Sequence, residues 1–83
     1  MTVRHFDKLT VNTVPELWKQ RSGIFSGEGA DLSGAEVDSA GIAFLVRWAK
    51  SRGGRLRLAG CSPDVLKLIS VFELKPLFEE AEA

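Results

Sequence analysis

Read from the N-terminus, the chain alternates short apolar runs with longer stretches in which apolar residues recur every three or four positions. Thr2-Val3-Arg4-His5-Phe6 predicts a short strand, ended by the turn-prone Asp7-Lys8. Thr13-Val14-Pro15-Glu16 matches a capping box with proline in the first turn. Val14, Leu17, Trp18, Arg21 and Ile24 continue it as one helix, with an apolar side and a single charged interruption. Ser26-Gly27-Glu28-Gly29 reads as a turn, and Ala30-Asp31-Leu32-Ser33 as an alternating strand.

The stretch Val37-Asp38-Ser39-Ala40-Gly41-Ile42-Ala43-Phe44-Leu45 is a polar turn running straight into an apolar helix, expected over Ser39 to Ser51 and closed by Gly53-Gly54. Ile42, Leu45, Val46 and Ala49 fall on one side, and Ala40, Ala43, Arg47 and Lys50 on a small-and-basic side. Phe44 and Trp48 lie off the main stripe, to pack on a neighbouring helix or to meet another protein. Arg55-Leu56-Arg57-Leu58-Ala59 alternates cleanly, so Leu56 and Leu58 face a core and the opposite face of the sheet is solvated. Ser62-Pro63 opens a third helix with Val65, Leu68, Ile69 and Phe72 as its buried stripe. Lys75-Pro76 ends that pattern, and Leu77-Phe78 adds a short element before an acidic, frayed tail. Strand and helix therefore alternate three times, which implies right-handed crossovers and an α/β layer in a single domain over residues 1–83.

Eighty-three residues bury only roughly 60% of the surface exposed by the unfolded chain, so support from an oligomer or a partner is expected. One cysteine, Cys61, and one histidine, His5, offer neither a disulfide nor a metal cluster, and a lone cysteine fits a reducing compartment. His5 is expected as a partly covered strand residue and Cys61 as a small buried apolar one. Eleven basic and eleven acidic residues balance, so no overall field attracts nucleic acid or an anionic membrane. Arg47, Lys50, Arg52, Arg55 and Arg57 do cluster, but a helix end followed by a glycine turn accounts for Arg52-Gly53-Gly54-Arg55 better than an RNA contact does. The opening residues do not resemble a signal peptide, and no apolar run approaches the roughly 20 residues that span a bilayer, so a soluble, cytoplasmic protein without direct membrane insertion is expected.

Candidate chemistry narrows to Ser39. Its hydroxyl stands where a helix opens, near the positive end of the helix dipole, either as a simple cap or as a group that receives a phosphate or a partner's polar atom. The glycines are too sparse for a phosphate loop, and no Gly-Lys-Ser/Thr follows them. Ser39 has no sequence-evident base beyond His5, so no catalytic residue, metal or cofactor is expected.

Asp31-Leu32-Ser33-Gly34, the Val37–Ala43 turn with its Asp-Ser-x-Gly pattern, and Gly53-Gly54-Arg55-Leu56-Arg57-Leu58 with the helix after it resemble the STAS domains, over about Leu9 to Phe78. That family is shared by sulfate transporters and anti-sigma factor antagonists. The resemblance implies a STAS-like α/β fold, a mixed β-sheet with helices packed on one face in βαβαβα order, with a leading strand that is short or absent. Pro15-Glu16-Leu17-Trp18 is similar to the first helix of the MlaB-like branch, the STAS subunits of Mla-type ABC transporters that handle phospholipids and maintain outer-membrane lipid asymmetry. This implies a non-enzymatic subunit that binds the cytoplasmic ATPase and, through it, the membrane permease, held peripherally at the inner membrane. The implied contact comprises Trp18, Ser39, Ala40, Ala43 and Arg47, where small side chains admit a partner helix and the indole anchors it. Ser39-Ala40-Gly41 is nearer the phosphorylated antagonists of the family. That implies the alternative of an anti-sigma factor antagonist whose partner is a serine kinase and whose phosphoacceptor is Ser39.

Overall fold

The structure is a computed structural model that describes residues 3–81. In chain order its elements are β1 (Val3–His5), β2 (Lys8–Leu9), α1 (Val14–Lys19), α2 (Arg21–Ile24), β3 (Gly29–Asp31), β4 (Glu36–Val37), α3 (Ser39–Ser51), β5 (Leu56–Ala59), α4 (Pro63–Val71), a 3₁₀ turn (Lys75–Leu77) and β6 (Phe78–Ala81). The main sheet runs β1-β3-β5-β6 and every pairing in it is parallel. The expected mixed sheet is thus corrected. Neighbouring strands are joined by helical crossovers rather than hairpins, and a crossover returns the chain in the same direction. Strand order rises steadily across the sheet, so right-handed crossovers put all the helices on one face. The other face is open, with Arg57 exposed in β5 and all of β1 exposed.

A second, two-stranded parallel sheet pairs Lys8 with Glu36 and Leu9 with Val37. Simple βαβαβα order misses it, because two residues per strand leave no periodicity to read. Its effect is large, since it fastens the residues before α1 to those before α3. Leu9 is fully buried there, and its carbonyl accepts the Asp38 N–H at 3.1 Å.

α3 supplies the centre of the core with Ile42, Phe44, Leu45, Trp48 and Ala49. Phe44 and Trp48 lie off the narrow stripe because the strands, the α1–α2 segment and α4 all pack on this helix and widen its buried side. Trp48 is fully buried, stacked on Phe25 at 6.0 Å and edge-on to Phe6 at 6.0 Å. Its Nε1–H donates to the Gly27 carbonyl at 3.2 Å, satisfying the one polar atom that burial would otherwise strand.

The first helix breaks at Gln20 into α1 and α2, and Thr13 does not close the capping box. The Thr13 hydroxyl instead donates to the Lys8 carbonyl at 3.0 Å and accepts the Thr10 N–H at 2.9 Å, so it serves the turn before the helix. Ser62 does cap α4, accepting the Val65 N–H at 3.3 Å with Pro63 in the first turn. Of the stripe expected on that helix, Val65 and Ile69 are buried and Leu68 is half-buried, whereas Phe72 lies one residue past the helix and is 50% exposed. The short final element grows into β6, paired along β5 from Leu56↔Phe78 to Ala59↔Ala81, with Arg55 and Glu79 3.8 Å apart beside it. Glu79 and Glu80 of the expected frayed tail thus lie in β6, and Glu82, like Thr2, falls outside the described residues.

Candidate docking face

α3 starts where the sequence places its opening, but the cap is Asp38, and Ser39 is the first helical residue. One Asp38 oxygen accepts the Gly41 N–H at 3.1 Å and the other accepts the Val11 N–H at 2.9 Å. A single carboxylate thus seals the helix opening and ties it to the segment after β2. The Val11 N–H, followed by those of Gly41 and Ala40, holds this carboxyl below the usual carboxylate range. With the cap occupied, the Ser39 hydroxyl is exposed and makes no hydrogen bond among the described residues. The reading of Ser39 as a mere cap is corrected accordingly.

Ser39, Ala43 and Arg47 are spaced four apart on α3, one exposed row, with half-buried Ala40 beside it. Arg47 lies two turns from Ser39, roughly 12 Å along the axis. Across from Arg47 stands Trp18 of α1, 36% exposed, with the Arg47 guanidinium 5.9 Å and the Arg21 guanidinium 4.5 Å from its ring centre. Phe25 supports the indole edge-on at 6.0 Å, and the Arg21 Nη1 donates to the Trp18 carbonyl at 2.9 Å. Ser39, Ala40, Ala43 and Arg47 therefore line one seam on α3, and Trp18 of α1 meets that seam at Arg47, two turns from Ser39.

Two members escaped sequence reasoning. Arg21 looks like a flaw in an apolar helix side, yet its position three residues after Trp18 is the readable sign that it covers the ring. Phe25 lies beyond the break at Gln20, so no helical spacing connects it to the indole.

A second polar group gathers past the C-terminal ends of β1 and β3. The Ser33 hydroxyl donates to Asp31 at 2.6 Å, the Ser33 N–H donates to the same oxygen at 3.0 Å, and His5 Nε2 donates to the Ser33 carbonyl at 3.0 Å. The Ser33 hydroxyl, then its N–H, holds the Asp31 carboxyl below the usual range. This set closes a turn: the imidazole meets a carbonyl, not the Ser33 hydroxyl and not Ser39. His5 is exposed in β1 and Cys61 is only half-buried, so both are less covered than expected. Cys61 lines a cleft of about 420 Å³ between α4 and strands β5 and β6, with Leu58, Ile69, Lys75 and Phe78. Among the described residues, no group of three or more His, Cys, Asp or Glu is placed to hold a metal ion, and no helix is long and apolar enough to cross a membrane.

No protein-family model, curated protein or solved structure matches the chain.

Proposed function

We propose that this protein is a non-enzymatic STAS-type subunit of the MlaB kind, which docks on the cytoplasmic ATPase of an Mla-type phospholipid-transporting ABC complex and, through it, reaches the permease. The observation that carries this reading is the partly exposed indole of Trp18 at one end of a seam lined by Arg47, Ala43, Ala40 and Ser39. An indole held by neighbours yet still open to solvent contributes a large contact area with little further loss of side-chain freedom, the usual character of an interface anchor. Alanines beside it let a partner helix approach closely. The resemblance of Asp38-Ser39-x-Gly41 and Leu17-Trp18 to the STAS subunits supplies the partner's identity, and the maintenance of outer-membrane lipid asymmetry comes with it.

The test is co-purification. The ATPase of such a transporter from the same cell is expected to purify with the wild-type chain and not with a Trp18→Ala/Ser39→Arg variant of unchanged far-UV circular dichroism. Retention of the ATPase by that variant, or its absence from the wild-type sample, removes the docking role.

One observation favours a second reading. The Ser39 hydroxyl is exposed and unengaged, so a serine kinase anti-sigma factor would find a phosphoacceptor there, as in an antagonist of anti-sigma factors. The new charge of about −2 would sit at a favourable helix end but beside the Asp38 carboxylate. Intact mass after incubation with cell extract and ATP separates the two readings, because a phosphorylated species at Ser39 is expected of the second alone.

A further inference from the structure

The charges around Trp18 say what kind of surface meets it. Arg47 is exposed and forms no ion pair or hydrogen bond among the described residues; its one recorded partner is the indole ring. Arg21 commits one donor to the Trp18 carbonyl and makes no ion pair there either. A guanidinium carries five N–H donors in a planar fork that matches a carboxylate. Most of the donors on these two side chains therefore face outward without an acceptor from this chain.

Carboxylates on the flanking elements do not neutralise them. Glu16 of α1 is engaged by the Gln20 amide at 3.5 Å, and Asp38 holds the backbone at the far end of the seam. Lys50, exposed and one turn beyond Arg47, adds to the same sign of charge. Cation–π attraction to the indole favours both guanidiniums beside the ring before any partner arrives, which lowers the ordering loss on binding.

We propose that this end of the seam takes an acidic segment of the partner ATPase, which sets at least one carboxylate against Arg47 next to an apolar hollow for the Trp18 indole. The inference rests on the docking reading above and deepens it: the indole anchors, and the two arginines select the partner by charge and orient it. Nucleic acid is the poorer match. The chain carries no net charge, and two guanidiniums on a short seam do not make the continuous cationic track that a phosphate backbone follows.

The experiment measures affinity of the purified, co-purifying ATPase for the wild type and for Trp18→Ala, Arg47→Gln, Arg47→Glu and Arg47→Lys, at about 50 and about 300 mM salt. Arg47→Gln is expected to weaken binding at least about tenfold, Arg47→Glu more, and Arg47→Lys less. The loss for Arg47→Gln is expected to shrink at the higher salt, as screening removes what the charge contributed. Arg21→Gln is expected to act in the same direction, which keeps the test open should an Arg47 variant misfold. If Trp18→Ala loses the ATPase while Arg47→Gln and Arg47→Glu bind as the wild type does, the acidic contact is wrong and the docking role stands. If none of the variants differs from the wild type, the docking role falls and this inference with it. Tighter binding by Arg47→Glu would overturn the inference by assigning a basic partner surface. Binding of a single-stranded oligouridylate that Arg47→Gln abolishes, with ATPase affinity unchanged, would overturn it in favour of RNA.

Discussion

Gly41 is the residue at which the opening of α3 is most sensitive to perturbation. A methyl group built on it would overlap the carbonyl oxygen of Leu9 and lie 2.7 Å from the Leu9 Cβ, against ordinary carbon contacts of roughly 3.5–4 Å. The obstacle is the backbone of fully buried Leu9, held in the β2–β4 pair, so it cannot swing aside as a flexible side chain would. Gly41→Ala must therefore lift the start of α3 off β2 by about 1 Å, stretching the Asp38 N–H bond to Leu9 and the Val11 N–H bond to Asp38. Overpacking of this kind costs about 3 kcal/mol or more, and the helical preference for alanine over glycine returns at most about 1 kcal/mol. The net loss of about 2 kcal/mol or more is a sizeable part of the roughly 4–12 kcal/mol expected for 83 residues. Thermal unfolding followed by circular dichroism is expected to show a fall of about 8–16 °C. Gly23 in α2 is the control: nothing lies within 4 Å of its added methyl, so Gly23→Ala is expected to raise stability by about 0.4–1 kcal/mol. A Gly41→Ala protein that melts with the wild type would refute the tight approach of α3 to β2.

Trp48→Ala is expected to lose about 3–5 kcal/mol, close to unfolding, whereas Trp48→Phe loses about 2 kcal/mol because the Gly27 carbonyl keeps the Arg52 Nη1 donor at 2.9 Å; urea titrations of both check the difference. Ser39→Ala is expected to change stability by less than about 0.5 kcal/mol, since Asp38 performs the capping, and a loss above about 1 kcal/mol in the same titration would reinstate Ser39 as the cap. The Asp38 and Asp31 carboxyls are both held below their ordinary range, so they bind fewer protons folded than unfolded. Their contribution is accordingly full above the unfolded value of about 3.9 and fades as pH falls through the lower folded values. Urea midpoints between pH 3 and 7 are expected to drop at the acid end, and a combined Asp31→Asn/Asp38→Asn variant to show a shallower drop.

Much of the fold was legible because its signals are local. Asp38, the row Ile42-Leu45-Ala49 and the closing Gly53-Gly54 predict α3 over the residues it occupies, and the alternation Leu56-Arg57-Leu58 reports a sheet covered on one side. What escaped depends on contacts distant along the chain. The β2–β4 pair joins residues separated by the whole of α1, α2 and β3, and strand direction follows from crossover geometry rather than from residue type. The width of the buried side of α3 follows from how many elements cover it. The candidate face divides the same way: Ser39, Ala43 and Arg47, with Ala40 beside them, share one side of a helix visible in the spacing, but the cation–π contact of Arg47 with Trp18 joins two helices and was not readable from either.

The docking role requires that another polypeptide cover the indole of Trp18. Hydroxyl-radical footprinting of the chain, alone and in complex with the ATPase, reads oxidation of each tryptophan by peptide mass spectrometry. Trp48, sealed in the core, is expected to react little in both samples, and Trp18 is expected to react in the free chain and become protected in the complex. Oxidation of Trp18 to the same extent in the complex as in the free chain would contradict the account.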